Sequence, residues 1–126
     1  MTATLIHITF PHWGPWGTQM ADAFGDLARS IAAEPGLLWK LWLEDEASGR
    51  AGGAYLFGSR ADADRYLAMH RGRLAGWGIV DLDVTISEVN AALSALSGAA
   101  KATALGTAPN AKAGLAGPAV ALAPAA

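Results

Sequence analysis

Apolar and polar residues alternate from Ala3 to Phe10, with Ile6, Ile8 and Phe10 on one side and Leu5, His7 and Thr9 on the other. A period of two over eight residues predicts a strand with one face in a core. PHWGPWG at 11–17 breaks the alternation with prolines and glycines and reads as a loop. Two Trp in one loop imply that their rings pack over something, because each exposes a large apolar area. Met20, Phe24, Leu27 and Ile31 then recur at helical spacing, with Thr18 placed as the N-cap and Pro35 and Gly36 as the stop. Asp22, Asp26 and Arg29 fall away from that stripe.

Leu37, Trp39, Leu41 and Leu43 next alternate with Leu38, Lys40, Trp42 and Glu44. The spacing predicts a strand whose first set is buried and whose second is mixed. DEASGR at 45–50 turns the chain, with Gly49 supplying an unusual backbone angle, and AGGAYLF at 51–57 returns as a strand. Its paired glycines leave room for something bulky alongside, so this hairpin has the character of an apolar pocket wall. Ser59, with Asp62 three residues on, opens a second helix in which Ala63, Leu67, His70 and Leu74 share a face, Tyr66 lies at the edge, and Gly76 or Gly78 marks the end. Ile79–Val89 alternates again, Val80, Leu82, Val84 and Ile86 against Asp81, Asp83, Thr85 and Ser87, and Asn90 is set to cap a short helix through Leu96. The order strand, helix, strand, strand, helix, strand is the α+β, ferredoxin-like βαββαβ pattern: a four-stranded antiparallel sheet with both helices on one face. The other face, expected to carry Leu38 and Trp42, needs a cover, and a second copy related by a two-fold axis is the simplest one.

Composition changes this picture mainly at the C-terminal end. With 126 residues the chain predicts one folded domain, residues 1–97. Residues 98–126 collapse to Ala, Gly, Pro and Thr with Lys101 and Lys112 the only charges, and are expected to be a disordered tail. That alanine accounts for much of the 52% hydrophobic content and the mean hydropathy of +0.26, and no apolar run approaches the roughly 20 residues of a spanning helix. A net charge of -2 without a basic cluster argues against nucleic acid, and the absence of Cys excludes disulfides and thiolate metal sites. No secretory leader is visible, so the expectation is a cytoplasmic protein that binds no membrane.

GPWG at 14–17, EPGLLWKLW at 34–42, AGGAYLF at 51–57 and YLAMHRGRL at 66–74, with the spacing between them, resemble the YdhR family of monooxygenases. The resemblance covers roughly residues 3–97. It implies a dimeric α+β barrel, a fold shared with small cofactor-independent quinone-forming monooxygenases and with haem-degrading enzymes. It also implies an oxidation of a flat aromatic or phenolic small molecule by dioxygen, with no cofactor.

Within that scheme His70, mid-stripe on its helix, is the candidate base: burial lowers an imidazole's pKa and keeps it neutral, ready to take a phenol's proton. Tyr55 or Tyr66 would orient the substrate oxygen. Trp13 and Trp16 are candidate lid residues, and Phe24, Trp39 and His7 candidate pocket linings, with alternation sending one of Trp39 and Trp42 to the pocket and the other to the dimer seam. His7, His12 and His70 stand too far apart in the pattern for a metal, with no HxH or HxxxH pair. Glu44, Asp45 and Glu46 read as solvated turn carboxylates, and Asp81 with Asp83 as a solvated or interface pair. Two other readings compete: a haem-degrading enzyme with His70 as the iron ligand, and a non-catalytic dimeric module for a small hydrophobic ligand.

Overall fold

The computed structural model describes residues 2–99. Chain contacts separate a unit Met1–Val89 from a second unit that begins at Asn90. The first unit holds β1 (Thr4–Pro11), α1 (Gly17–Ala32), β2 (Leu37–Asp45), β3 (Arg50–Phe57), α2 (Arg60–Gly76) and β4 (Asp83–Glu88). The strands form one antiparallel sheet in the order β2-β3-β1-β4, which is the ferredoxin-like arrangement. Ile6 lies beside Tyr55 and Ile86, and Ile8 beside Gly53 and Val84. Those positions and Phe57 meet Ile31 of α1 and Ala63 and Tyr66 of α2 in a single core, so both helices cover the same face.

Local chemistry sets the boundaries. α1 starts at Gly17, one residue before the expected cap at Thr18, and its N-cap residue Trp16 makes no side-chain bond. The Gly17 N–H instead donates to Glu44 Oε1 at 2.8 Å, so a carboxylate of β2 serves the positive end of α1. Glu44 is therefore a tertiary cap, where a solvated turn residue was expected. Ser59 caps α2 as anticipated, accepting from the Asp62 N–H.

The strand expected from Ile79 begins only at Asp83, because Trp77–Ile79 are used to close α2. Gly78 N–H bonds to Ala75 O and Ile79 N–H to Leu74 O, both 2.9 Å, with Gly78 at φ 82°; this Schellman closure takes up the residues that alternation assigns to strand. Asp81 thus lies ahead of β4, while Asp83 pairs with Arg50 at 2.8 Å.

In the second unit, α3 (Ala91–Leu96) is capped by Asn90, whose side chain accepts from Leu93 N–H at 3.0 Å. The tail expected over residues 98–126 lies, from residue 100 onward, outside the described residues.

One register shift redistributes the faces of β2. A bulge between Leu37 and Trp39 leaves Leu37 opposite Phe57 on the helix side, then places Trp39 opposite Leu56, Lys40 opposite Tyr55 and Trp42 opposite Gly53. The expected division of this strand is therefore corrected. Lys40 and Trp42 face the helices, and Trp39 and Leu41 join Leu5 and Leu56 on the face that no helix of this unit covers.

Candidate functional site

Beneath α1 and α2 lies a half-open pocket of about 100 Å³ with an overwhelmingly apolar wall. Phe24 and Met20 come from α1, Trp42 and Lys40 from β2, Tyr55 from β3 and His70 from α2. Phe24 and Trp42 stack with ring centroids 6.3 Å apart and planes within 16°. Trp77 stands at the helix end beside the opening.

The inner wall is a relay of polar groups inside this apolar surround. His70, only 3% exposed, has its Nδ1 facing Arg73, whose Nε and Nη2 donate at 3.2 and 3.1 Å. A guanidinium has no lone pair to offer, so Nδ1 must be the acceptor and the ring proton sits on Nε2. Nε2–H therefore donates to Tyr55 Oη at 3.3 Å. Arg73 Nη2 also donates to Tyr66 Oη at 3.3 Å, and the Tyr66 ring stacks on His70 with centroids 5.0 Å apart.

Burial, with the Arg73 and Lys40 charges adding to it, lowers the His70 pKa to about 3. The imidazole is neutral at any ordinary pH, as expected, but both its nitrogens are occupied. It is a donor to Tyr55 where a proton acceptor was anticipated. Burial also pushes Tyr66 up to about 12 and Tyr55 further up still, so both phenols keep their protons.

The remaining expected residues are distributed as follows. Phe24, Tyr55 and His70 line the pocket, and Tyr66 backs His70. Trp39 and His7 lie on the opposite face of the sheet. Trp13 is 87% exposed, and Trp16 meets His12 edge-on with centroids 4.8 Å apart, away from the pocket lining. His12 is the residue of that loop that reaches the pocket, its Nε2 bonded to Pro15 O at 2.9 Å.

Sequence reasoning missed Lys40 and Arg73; of Trp39 and Trp42, between which it left the pocket place open, Trp42 takes it. Arg73 was detectable, since it lies three residues after His70 on the same helical face. A haem does not fit these residues: the candidate iron ligand is sealed by two partners, and a macrocycle exceeds the cavity. Among the described residues no group of three metal-binding side chains comes together.

Residues 5–100 match the family described as "Putative mono-oxygenase ydhR". A solved structure of the NE2512 protein of unknown function from Nitrosomonas europaea is similar in fold, with TM-score 0.53, 16% identity, and coverage of 71% of this chain and 91% of that one. A structure described as a putative antibiotic biosynthesis monooxygenase from Deinococcus radiodurans gives TM-score 0.52 at 17% identity, covering 69% of this chain and 92% of that one. No curated protein matches the chain.

Proposed function

We propose, from the ydhR mono-oxygenase family to which this chain belongs, that it oxidises a small flat phenolic compound with dioxygen in the pocket under α1 and α2, with no prosthetic group taking part. The observation that carries the reading is a Tyr55–His70 pair set into the inner wall of an otherwise apolar, aromatic-walled cavity. His70 Nε2–H donates to Tyr55 Oη, which leaves the Tyr55 proton to turn towards Tyr66 Oη or a ligand oxygen. Tyr55 then fixes the substrate oxygen, while Arg73 and Tyr66 hold His70 in the one tautomer that can do this.

The reaction needs an electron-rich anion and a dry site. Loss of the phenolic proton gives the anion, which passes one electron to dioxygen. The radical pair recombines at a ring carbon, forming a C–O bond. Loss of water leaves a carbonyl, so one oxygen atom enters the product and the other departs as water with two substrate hydrogens. Phe24, Trp42 and Met20 exclude the solvent that would otherwise release reduced oxygen.

The test is oxygen consumption with a panel of hydroquinones and anthrones, followed by isotope tracing from labelled dioxygen into product. Uptake with one labelled atom per product supports the reading. Binding without uptake leaves the non-catalytic ligand module in its place.

The same reading includes a homodimer. Leu5, Trp39, Leu41 and Leu56 spread an apolar face that no helix of Met1–Val89 covers, and two-fold pairing of these sheets would remove it from water. A monomeric mass in native mass spectrometry at micromolar concentration would exclude the pairing.

A further inference from the structure

Lys40 is, with His12, an ionisable group of the pocket that the relay leaves out. Its ammonium position is built by its neighbours. Nζ lies 3.3 Å from the centroid of the Trp42 ring and 4.6 Å from that of Tyr55. A Cβ on Gly53 would stand 2.6 Å from Lys40 Cε and 3.1 Å from a Tyr55 ring carbon, so the missing side chain at Gly53 is the slot in which the lysine stem lies.

The groups facing Lys40 are Tyr55 from β3, and His70 and Arg73 from α2, with His12 entering from the loop after β1. α1 presents apolar Met20, Phe24 and Leu27. Among the described residues no carboxylate lines the pocket and Lys40 forms no salt bridge. With no acid beside it and the Arg73 guanidinium nearby, the amine has nothing to hold it as an ammonium until an anion forms against it.

We infer that Lys40 is the proton acceptor of this site: a single-ring phenol or enol enters neutral, its O–H breaks as a bond forms from the proton to Nζ, and the resulting phenolate stays against the new ammonium. This deepens the mono-oxygenase reading and rests on it for the later fate of the anion. Size points the same way, since an engineered apolar cavity of about 150 Å³ holds benzene, and the one here is smaller and open on one side. The buried part of the ligand is one ring. Burial, with the Arg73 charge nearby, brings the Lys40 pKa down to about 7, so an amine base is present near neutrality. The competing account is structural: β2 is an edge strand, and an inward-pointing lysine discourages edge-to-edge pairing. That role does not ionise a ligand.

The experiment is a spectrophotometric pH titration of 4-nitrophenol, coloured only as its phenolate, with the full chain and with Lys40→Met. The native protein is expected to lower the apparent pKa of the bound phenol by about one unit, roughly a tenfold gain in phenolate below neutrality. Lys40→Met is expected to bind the uncoloured phenol with no such gain. Should Lys40→Met fail to fold, Gly53→Ala, whose methyl takes the lysine slot, must diminish the colour shift. Absence of binding by the native protein, binding without ionisation, or an undiminished shift in both variants overturns the inference. The mono-oxygenase reading is judged separately: a retained colour shift with no oxygen uptake removes the oxidation and keeps the lysine, and uptake without the shift does the reverse.

Discussion

A lysine held in an aromatic slot makes folding stability depend on pH over a window where few other groups titrate. Lys40 falls from 10.5 in the unfolded chain to about 7 in the folded one. Between those values the unfolded state binds the extra proton, so stability rises with pH there. From pH 7 to pH 9 the folded amine goes from half-charged to nearly neutral while the unfolded one stays charged, which works out to about 2 kcal/mol of added stability. For a domain near this size that is a rise in Tm of roughly 10 °C. Tyr55 and Tyr66 reverse the trend only above about pH 10, because the folded state then retains protons that the unfolded phenols have lost.

The assay is urea unfolding followed by Trp fluorescence at several points between pH 7 and pH 9, with Lys40→Met alongside. Methionine keeps the stem length without the charge, so the variant is expected to lose the slope and to sit near the alkaline stability of the native protein throughout. A native protein that is flat across this range, or a slope that Lys40→Met preserves, refutes the placement of the amine.

The other predictions concern the walls of the same site. Gly52→Ala is expected to cost at least about 3 kcal/mol, because its Cβ would stand 1.8 Å from the Ile8 carbonyl oxygen in the adjacent strand, whereas the Cβ of Gly53→Ala displaces a flexible lysine stem and only crowds the Tyr55 ring at 3.1 Å and the Leu41 carbonyl at 3.2 Å, so it should cost clearly less in the same denaturation assay. Glu44→Ala removes the carboxylate that accepts from Gly17 N–H and should lower stability by about 1 kcal/mol, read from the urea midpoint. His70, lowered to about 3, contributes stability that is complete above 6.5 and is lost as pH falls towards 3, about 2 kcal/mol of it between pH 7 and pH 5. Arg73→Met removes one cause of that depression, so its loss should level off at a higher pH than in the native protein, which urea unfolding carried from pH 7 down towards pH 3 would read.

The succession of strands and helices along the chain and the Ser59 and Asn90 caps were legible because each rests on local chemistry: a period of two, a period of 3.6, or a hydroxyl or amide ahead of a helix. Two features were not: one depends on a distant partner, and the other on a local closure that competes with the strand pattern. Gly17 begins α1 because Glu44, 27 residues away, accepts its N–H, and nothing near Thr18 announces that. The end of α2 consumed Ile79 because Gly78 can take the left-handed turn, an outcome that apolar alternation after Ile79 conceals.

The pocket turns on a still smaller event. Perfect alternation from Leu37 groups it with Trp39, Leu41 and Leu43, and sends Lys40 with Leu38 and Trp42 to the outer face. A single extra residue at the bulge separates Leu37 from that set without altering the pattern of residue types, because apolar residues stand on both sides of it. Lys40 then faces the helices, opposite Tyr55, and Trp42 comes to rest beside Phe24. The glycine at 53 makes that arrangement possible by leaving the space a lysine stem needs. Paired glycines in AGG thus carried the right signal, room for bulk, while the identity of the occupant was fixed by register. In a two-faced strand a slip of one residue exchanges every side chain between faces, so the register of β2 decides whether the pocket holds an amine or a second indole.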